Sequence, residues 1–510
     1  MIDFTPIMKR RARARLLEQQ RYITHPEAVQ QDQLVHLVEK AALTWMGRRH
    51  EFSALRNYRQ FAAAVPLHDY EALRPAVMRM MDGERDVLWP GLTTCFAQSS
   101  GTTGGKSKYI PITPASFKLN HYQGASDVVS HYLNMNPASR IFSGKGFILG
   151  GSFANEVDGL KRGVRVGDLS ANLIENISPL VNLFRVPAKR TALMENWHDK
   201  LPALVAESSR ERRITNLSGV PSWFLTVLKE VLAATGKRCI HDVWPGLEVF
   251  FHGGIDFEPY RSQYEQLCDM SKMHFVNTYN ASEGFFATQS DWSTTAMLLL
   301  LDVGVFYEFI PLDQVDSDHP VALPLWEVEA GHTYELVITA VNGLWRYRIG
   351  DTVRVEQTRP VKISIAGRTR SFINAFGEEL MVHNADQAIA HAAAVTGAQV
   401  LNYTAAPVYA TERTRGRHQW LVEFEVEPDG LDSFAAALDE RLRSLNSDYD
   451  AKRAGGIFLD PPQVVKVRRG LFDRWLEATG KLGGQRKVPR LSNHRLIVDA
   501  LLQLNNAGDA

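Results

Sequence analysis

Apolar side chains recur at helical spacing over about the first 90 residues, and few residues there interrupt a helix. One helix is expected to open at Pro26, because proline lacks the N–H that the first helical turn leaves unused. The next helix is expected to close near Gly47. The one basic run, residues 9–15, falls in this region and is typical of a solvated helix face. The N-terminal region is therefore predicted to be helical.

Short apolar segments then alternate with helical patterns. Strands are predicted at 92–96, 109–110, 147–152, 214–219, 247–254 and 274–280, helices at 201–208 and 223–234, and a polar loop at 161–170. This alternation predicts a mostly parallel α/β sheet. In such sheets ligands bind beyond the carboxyl ends of the strands, where small and polar residues follow several of these segments.

The pattern changes after residue 294. Successive strands are predicted at 305–310, 333–339, 344–349 and 361–365, and they read as antiparallel β structure closing the large domain. The remainder alternates helices at 384–395 and 431–445 with strands at 399–405, 418–425 and 463–467. We therefore predict an α/β protein with a large N-terminal domain, 1–368, a smaller C-terminal α+β domain, 371–510, and a hinge near 366–371.

Composition narrows the function classes. A chain of 510 residues is too long for one ordinary core. It carries 57 Lys and Arg against 57 Asp and Glu, so no net charge favours nucleic acid or an anionic membrane. The longest apolar segment, 296–310, is broken by Asp302 and Glu308 and is too short to span a bilayer. Three distant cysteines without a Cys-x-x-Cys argue against disulfides and thiolate metal sites, and a cytoplasmic location is expected.

A loop rich in glycine, serine, threonine and lysine lies at 98–108, between two predicted strands. Its glycines allow backbone N–H groups to turn inward, and its hydroxyls and lysines add donors, which suits a polyphosphate. It is not a Walker A loop, because Ser100 stands where that motif needs a glycine before Gly105-Lys106. The alternative is a flexible surface hairpin.

Two acidic motifs follow predicted strands. Glu283 is a natural ligand for Mg²⁺ that bridges nucleotide phosphates, Ser282 is a phosphate donor, and Tyr279 has a flat face for a purine. Asp351, expected at the end of a strand, is suited to accept bonds from both ribose hydroxyls. The alternatives are an acidic loop with a packed tyrosine and an ordinary turn aspartate after a glycine.

Two basic motifs lie in the C-terminal part of the chain. Arg368 is suited to contact a phosphate, or simply to solvate the linker. Lys487 lies in the glycine-rich run 480–490, which is either a loop that moves over an active site or a basic surface loop.

Together these motifs resemble one family, the auxin-responsive acyl acid–amido synthetases of the Gretchen Hagen family, within the acyl-adenylating superfamily. The phosphate loop, the Tyr-x-x-Ser-Glu at 279–283, the Tyr-Arg-x-Gly-Asp at 347–351 and the Gln-x-Lys-x-Pro-Arg at 485–490 occur in the family's order. The resemblance covers nearly the whole chain. One departure is that Thr369-Arg370 follows Gly367-Arg368, where the superfamily often has an acidic hinge residue.

The resemblance implies ATP and Mg²⁺ as cofactors and a mobile C-terminal capping domain. Its implied contacts are Ser99, Ser100, Thr102 and Thr103 on the ATP phosphates, Tyr279 stacked on adenine, Asn280 in the nucleotide site, Ser282 on the α-phosphate, Glu283 on Mg²⁺, Asp351 on ribose, Arg368 on phosphate and ribose, and Lys487 on the adenylation transition state.

The implied reaction adenylates a carboxylic acid and transfers its acyl group to an amine, such as an amino acid. Trp223 follows a predicted strand and turn, so we expect it to line the acyl pocket, unless it is a core residue. His252 and His121 are candidates for removing the proton of the amine, although a lone histidine is more often structural. Coenzyme A as acceptor and a non-catalytic nucleotide or acyl-acid sensor remain the alternatives.

Overall fold

The computed structural model describes residues 3–99, 108–153, 161–195, 197–254, 257–315, 317–368, 372–373, 375, 378, 380–408, 416–446, 449–450, 453, 459–479, 487–492 and 494–507. Where it is described, the chain forms two compact units. The first contains residues 1–255 and 267–364, and the second contains 256–266, 365–482 and 486–510. The predicted division at 368 and 371 stays a prediction. In the described part, no helix is long and apolar enough to cross a membrane.

Helices occupy the N-terminal region, as predicted. They are α1 (Thr5–Gln19), α2 (Arg21–Thr24), α3 (Pro26–Ala41), α4 (Trp45–Arg49), α5 (Tyr58–Ala64) and α6 (Tyr70–Met81). The basic run is only partly the solvated face that we predicted, because Arg15 turns inward. Its guanidinium lies 2.8 Å from Asp127 and 2.6 Å from Asp302. This network fastens α1 to the body of the first unit.

The first unit is built on a twelve-stranded sheet. The strands in this part of the chain are β1 (Cys95–Ser99), β2 (Lys108–Ile112), β3 (Lys145–Ile148), β4 (Arg165–Gly167), β5 (Arg185–Val186), β6 (Ile214–Gly219), β7 (Val249–Gly253), β8 (His274–Ala281), β9 (Gly284–Gln289), β10 (Met297–Leu299), β11 (Val305–Pro311), β12 (Leu323–Pro324), β13 (Thr333–Ala340), β14 (Tyr347–Thr358) and β15 (Val361–Arg368). The residues of β15 after 364 group with the second unit. The sheet order is β12-β11-β13-β14-β15-β10-β9-β8-β7-β6-β3-β5. Strands β5, β3, β6, β7 and β8 pair in parallel, and β8–β9 begins the antiparallel part. The predicted α/β class is confirmed.

Helices cover this sheet. They are α7 (Tyr122–Met135), α8 (Leu169–Glu175), α9 (Pro179–Asn182), α10 (Lys189–Ala192), α11 (Trp197–Arg210), α12 (Pro221–Thr235) and α13 (Ile240–Val243). A separate sheet, β2-β1-β4, includes β4, whose three residues pair in parallel with β1. The prediction of a loop at 161–170 was therefore wrong, because a three-residue strand and the start of α8 are too short to give a periodic signal.

The second unit contains α14 (Glu258–Leu267), α15 (Val382–Thr396), α16 (Leu431–Leu445), α17 (Leu471–Ala478), α18 (Leu496–Asn506) and the strands β16 (Phe372–Ile373), β17 (Leu380–Met381), β18 (Gln399–Val408), β19 (Arg417–Val426) and β20 (Gln463–Val467). The sheet β18-β19-β20 packs against α15 and α16 through a core that includes Tyr403, Trp420, Phe434 and Leu438. The predicted α+β character of this part is confirmed.

Candidate active site

The tight turn between β8 and β9 presents two of the predicted site residues. Ser282 and Glu283 occupy the turn, and they are only 4% and 7% exposed. Asn120 holds the start of β9, since its side chain accepts a bond from the Phe285 N–H at 2.7 Å and donates to the Phe285 carbonyl at 3.1 Å. On the other side, the Asn342 amide donates to the Glu283 carbonyl at 2.9 Å. Neutral amides thus fix the backbone of the turn that carries Glu283.

Tyr279 and Asp351, which belong to different motifs, meet directly. The Tyr279 hydroxyl donates to the Asp351 carboxylate at 2.7 Å. The Tyr279 ring is 3% exposed and packs edge-on against Phe286, with ring centres 5.0 Å apart. This packing agrees with the alternative in which Tyr279 is a packed residue beside an acidic loop. The stacking of adenine on Tyr279 stays a prediction. The bond fixes the orientation of a carboxylate that is itself 5% exposed.

We predicted that Asp351 lies at the end of a strand, and this prediction was wrong. Asp351 lies inside β14, which continues to Thr358. Three residues of β14, 349–351, stand opposite Leu336 alone, and Gly350 has a φ of 83° within this bulge. The glycine that suggested a turn therefore marks a bulge, which re-aims a side chain without ending the strand.

The arginines beside Asp351 are structural. Arg346 lies 2.7 Å from Glu308, a pair whose side chains are 8% and 0% exposed, and it also donates to the carbonyls of Ala62 and Val65. Arg348 lies 2.6 Å from Glu335 on the neighbouring strand. The pairs tie the start of β14 to β11 and β13, and the carbonyl bonds of Arg346 tie it to the end of α5.

The predicted phosphate loop joins two antiparallel strands, as expected. Ser99 and Lys108 are the last paired positions of β1 and β2. The Tyr109 N–H donates to the Tyr70 hydroxyl at 2.8 Å, which fastens the exit of the loop to α6. Ser100, Thr102 and Thr103 lie outside the described residues, as does the side chain of Ser99.

Trp223 is half-buried in the first turn of α12, directly after the carboxyl end of β6. Its neighbour Phe224 is fully buried against Phe147 and Phe250. The predicted strand, turn and helix are confirmed here, and the acyl-pocket role of Trp223 stays a prediction.

Lys200 is a buried cation that belongs to none of the sequence motifs and was not predicted. It is 2% exposed, and its ammonium donates to the Gly150 carbonyl at 2.7 Å, beyond the end of β3. Burial lowers the pKa of Lys200 to about 8, and Asp168 opposes this. Asp168 in turn accepts a bond from the Ser152 N–H at 2.9 Å. The two side chains hold the glycine turn after β3.

The two candidate histidines are both buried. His121 is 2% exposed, and neither of its ring nitrogens has a hydrogen-bond partner within the described part of the chain. Burial lowers the pKa of His121 to about 4, so the ring is neutral near pH 7, which is the state that a base requires. His252, 4% exposed, lies within β7.

Two predicted site residues belong to the second unit. Arg368 ends β15, and its side chain is outside the description. Lys487 is exposed, whereas the residues after it are anchored. Val488 is 5% exposed, Thr404 donates to the Pro489 carbonyl at 2.7 Å, and Arg490 donates to the Tyr260 hydroxyl at 3.0 Å.

The described residues fit a magnesium ion that is bound together with a nucleotide. They contain no cluster of three or more His, Cys, Asp or Glu side chains suited to a metal. Magnesium bound with ATP commonly uses one or two carboxylates and completes its shell with phosphates and water. A single carboxylate on a braced turn, Glu283, meets that requirement.

Known proteins share this architecture. An indole-3-acetic acid-amido synthetase of Arabidopsis thaliana, GH3.4, is 22% identical over 91% of this chain and 89% of its own length. The solved structure of the acyl acid amido synthetase AtGH3.15 in complex with 2,4-DB superimposes with a TM-score of 0.77 at 17% identity, covering 98% of this chain and 96% of that one. A 2-hydroxyisobutyryl-CoA ligase in complex with 2-HIB-AMP gives 0.62 at 14% identity, covering 96% and 94%.

Three consecutive stretches of the chain match parts of one family. Residues 15–273 match the GH3 family N-terminal domain, 298–368 the central domain and 383–496 the C-terminal domain. The first match alone covers more than half of the 510 residues. The chain therefore belongs to the GH3 family.

Proposed function

We propose that this protein is an ATP-dependent ligase that adenylates a carboxylic acid and transfers the acyl group to an amine, such as an amino acid. The observation that carries the proposal is the meeting of Tyr279 and Asp351 at 2.7 Å in a chain that matches the GH3 family along its length. Two of the family's motifs, at 279–283 and at 347–351, thus contact each other, and the backbone of Glu283 is held by Asn342.

In the first half-reaction, the substrate carboxylate attacks the α-phosphorus of ATP, and pyrophosphate leaves as the acyl-adenylate forms. Asp351, oriented by Tyr279, accepts hydrogen bonds from the ribose. Glu283 would hold Mg²⁺, which would neutralise charge on the phosphates when bound. Ser282 donates to the α-phosphate, and Lys487 from the second unit stabilises the additional charge that develops there. The loop residues Ser99, Ser100, Thr102 and Thr103 bind phosphate, with Arg368 contributing from the end of β15.

In the second half-reaction, the amine nitrogen attacks the acyl carbon, AMP departs with the bonding electrons, and the nitrogen loses a proton. His121 is a neutral imidazole at the start of α7, the helix whose Gly124 lies against Phe285 of β9. Trp223 lines the acyl pocket and contributes to the choice of acid.

A second candidate is transfer of the acyl group to coenzyme A. The similarity in fold to 2-hydroxyisobutyryl-CoA ligase, at a TM-score of 0.62, favours it. The two functions share the adenylation step and differ only in the acceptor.

Pyrophosphate release over a panel of carboxylic acids tests the proposal, with each acid offered alone, with mixed amino acids and with coenzyme A. We expect release to depend on the acid and AMP to accumulate when amino acids are added. Turnover with coenzyme A and not with amino acids would support the second candidate. If no acid elicits pyrophosphate, neither ligase function is correct.

A further inference from the structure

Tyr347, the first residue of the Tyr-Arg-x-Gly-Asp motif, has no role in the proposed reaction and carries a buried and unsatisfied polar group. Its side chain is fully buried. Within the described part of the chain, its hydroxyl has no hydrogen-bond partner. Buried polar atoms are nearly always paired, so such a group needs a reason. A hydroxyl that is aimed into a ligand site gains its partner only when that site is filled or rearranged.

The backbone around Tyr347 is held firmly. Its strand begins beside His68, whose N–H donates to the Arg346 carbonyl at 2.9 Å and whose carbonyl accepts from the Arg348 N–H at 2.8 Å. The His68 ring bonds the Trp345 carbonyl at 2.7 Å. These contacts hold the backbone on both sides of Tyr347, whereas its hydroxyl has no partner among the described residues.

Two hydrogen bonds tie this segment to the candidate active site. Asn342, five residues before Tyr347, bonds the Glu283 carbonyl at 2.9 Å. Asp351, four residues after it, accepts from Tyr279 at 2.7 Å. Tyr347 therefore lies between two points at which its segment touches the β8–β9 hairpin.

The charged surroundings of Tyr347 are acidic. Burial raises the pKa of the phenol well above its ordinary value, and Glu283 is the largest contributor after burial, with Tyr70, Asp69 and Asp351 acting in the same direction. The phenol therefore stays protonated near pH 7, so its O–H can act as a donor, and Glu283, Asp69 and Asp351 are the carboxylates that act on it.

We propose that Tyr347 is a positioning residue of the candidate magnesium site, and that its hydroxyl donates a hydrogen bond to the Glu283 carboxylate when that carboxylate binds a divalent cation together with ATP. This inference rests on the proposed function, because it assigns Glu283 to the cation. Metal-bound carboxylates are commonly oriented by such outer hydrogen bonds, whose loss typically weakens metal binding roughly 10- to 100-fold.

Tyr347→Phe removes the hydroxyl and preserves the ring. Calorimetric titration of Mn²⁺ into the full-length protein, saturated with a non-hydrolysable ATP analogue, measures the cation affinity without turnover. We expect Tyr347→Phe to weaken Mn²⁺ binding roughly 10- to 100-fold. Its melting temperature without ligand should equal that of the wild type or exceed it, because the variant deletes an unpaired polar group from the interior.

Tyr307→Phe is the matched control. Tyr307 is also fully buried, but its hydroxyl donates to the Leu300 carbonyl at 3.0 Å. The Tyr307→Phe variant should be less stable than the wild type and should keep the wild-type affinity for Mn²⁺. In a Glu283→Gln background, Tyr347→Phe should have no additional effect on Mn²⁺ binding, because both act through the same carboxylate.

An unchanged Mn²⁺ affinity in Tyr347→Phe would overturn the inference, as would an equal loss in the Glu283→Gln background. The inference is also overturned if the wild type binds no Mn²⁺ in the presence of the ATP analogue. A wild type that binds Mn²⁺ with the analogue but releases no pyrophosphate with any acid contradicts the proposed ligase and leaves the role of Tyr347 supported by the binding data.

Discussion

At the scale of single residues, some side chains of the segment 345–351 form structural ion pairs, and another belongs to the candidate active site. Arg346 and Arg348 are bound to the buried glutamates Glu308 and Glu335, and Asp351 is bound to Tyr279. The motif at 347–351 resembles a nucleotide-binding motif, but its arginine, together with Arg346, forms a structural clamp that holds β14 in place. The clamp matters for chemistry because it fixes the bulge that aims Asp351.

The first prediction separates the two site carboxylates. Asp351→Ala should mainly weaken ATP binding, by roughly 10- to 100-fold, since hydrogen bonds to a charged group contribute about 1.5–3 kcal/mol. Glu283→Ala should instead depress the adenylation rate and raise the Mg²⁺ requirement. Calorimetry with ATP and pyrophosphate exchange across a Mg²⁺ series measure the two effects.

Asp313→Ala, at an exposed position of the first unit, is the control for loss of a carboxylate. If both site variants exchanged pyrophosphate at the wild-type rate and Mg²⁺ optimum, the assignment of the two carboxylates would be wrong.

The sequence identified the carboxylates of the site but not the residues that position them. Glu283 and Asp351 stand in recognisable motifs. Asn120 and Asn342 are ordinary amides in the sequence, and their bonds to Phe285 and Glu283 join residues 165 and 59 positions apart. No local pattern encodes such a pairing, because it exists only once the helix, the hairpin and β14 have packed together.

The second prediction concerns Glu423 on β19, which is 6% exposed and accepts the Gly470 N–H at 2.6 Å. Burial raises the pKa of Glu423 to about 7, while the bond from Gly470 opposes the shift. The folded state thus holds this proton more tightly than the unfolded state. The stabilisation is present below about pH 4.5 and is lost as the pH rises through about 7.

Glu423→Gln keeps the shape and removes the titration. At pH 8 the variant should be more stable than the wild type by about 1–3 kcal/mol, and near pH 4 the gain should vanish. Chemical denaturation at both pH values measures this. Glu427→Gln, at an exposed position just beyond β19, changes the same charge and should show no such dependence. A gain for Glu423→Gln that is equal at both pH values would contradict the prediction.

At the scale of elements, periodicity worked where an element has a clear period. The predicted bounds of α16 and β20 match the structure, because a long amphipathic helix and an apolar strand give unmistakable patterns. Prediction failed for β4, where three residues carry no period. The predicted strand also ended at 349, well before the end of β14, because Gly350 and Asp351 look like a turn although they form a bulge.

The third prediction concerns the first turn of α12. Trp223 is half-buried and Phe224 is fully buried, so two neighbouring aromatic residues of one helix have different surroundings. Trp223→Leu should change the ranking of carboxylic acids in pyrophosphate release with a small change in melting temperature. Phe224→Leu should lower stability by roughly 1–2 kcal/mol with an unchanged ranking, because it opens space in the core.

The two variants are compared over the same panel of acids. A large fall in the melting temperature of Trp223→Leu, with the wild-type ranking preserved, would show that Trp223 is a core residue like its neighbour.

At the scale of the whole molecule, the order of regions along the chain was predictable but their grouping was not. Helices, a mixed sheet and a final α+β region follow one another as the pattern indicated. Residues 256–266, however, group with the second unit. One reason is the bond from Arg490 to Tyr260, which joins positions 230 residues apart. The hinge near 366–371 stays a prediction, since residues 369–371 lie outside the described chain.

Lys487 is exposed beside an anchored segment of the second unit, where Pro489 and Arg490 are bonded to Thr404 and Tyr260. An exposed cationic side chain next to a fixed backbone is suited to stabilise charge that exists only during one step. In the proposed reaction, that charge appears on the α-phosphate during adenylation and is absent when the amine attacks the acyl carbon.

The last prediction is that Lys487→Ala slows adenylation and spares amide formation. Loss of one charged transition-state contact should reduce the first rate roughly 100- to 1000-fold. The second rate, followed as AMP release from purified acyl-adenylate mixed with amino acids, should stay close to that of the wild type. Lys466→Ala removes a lysine paired with Glu427 on the surface of the same unit and should change neither rate. Equal slowing of both half-reactions by Lys487→Ala would refute a role confined to adenylation, because it would mean that the lysine supports the site as a whole.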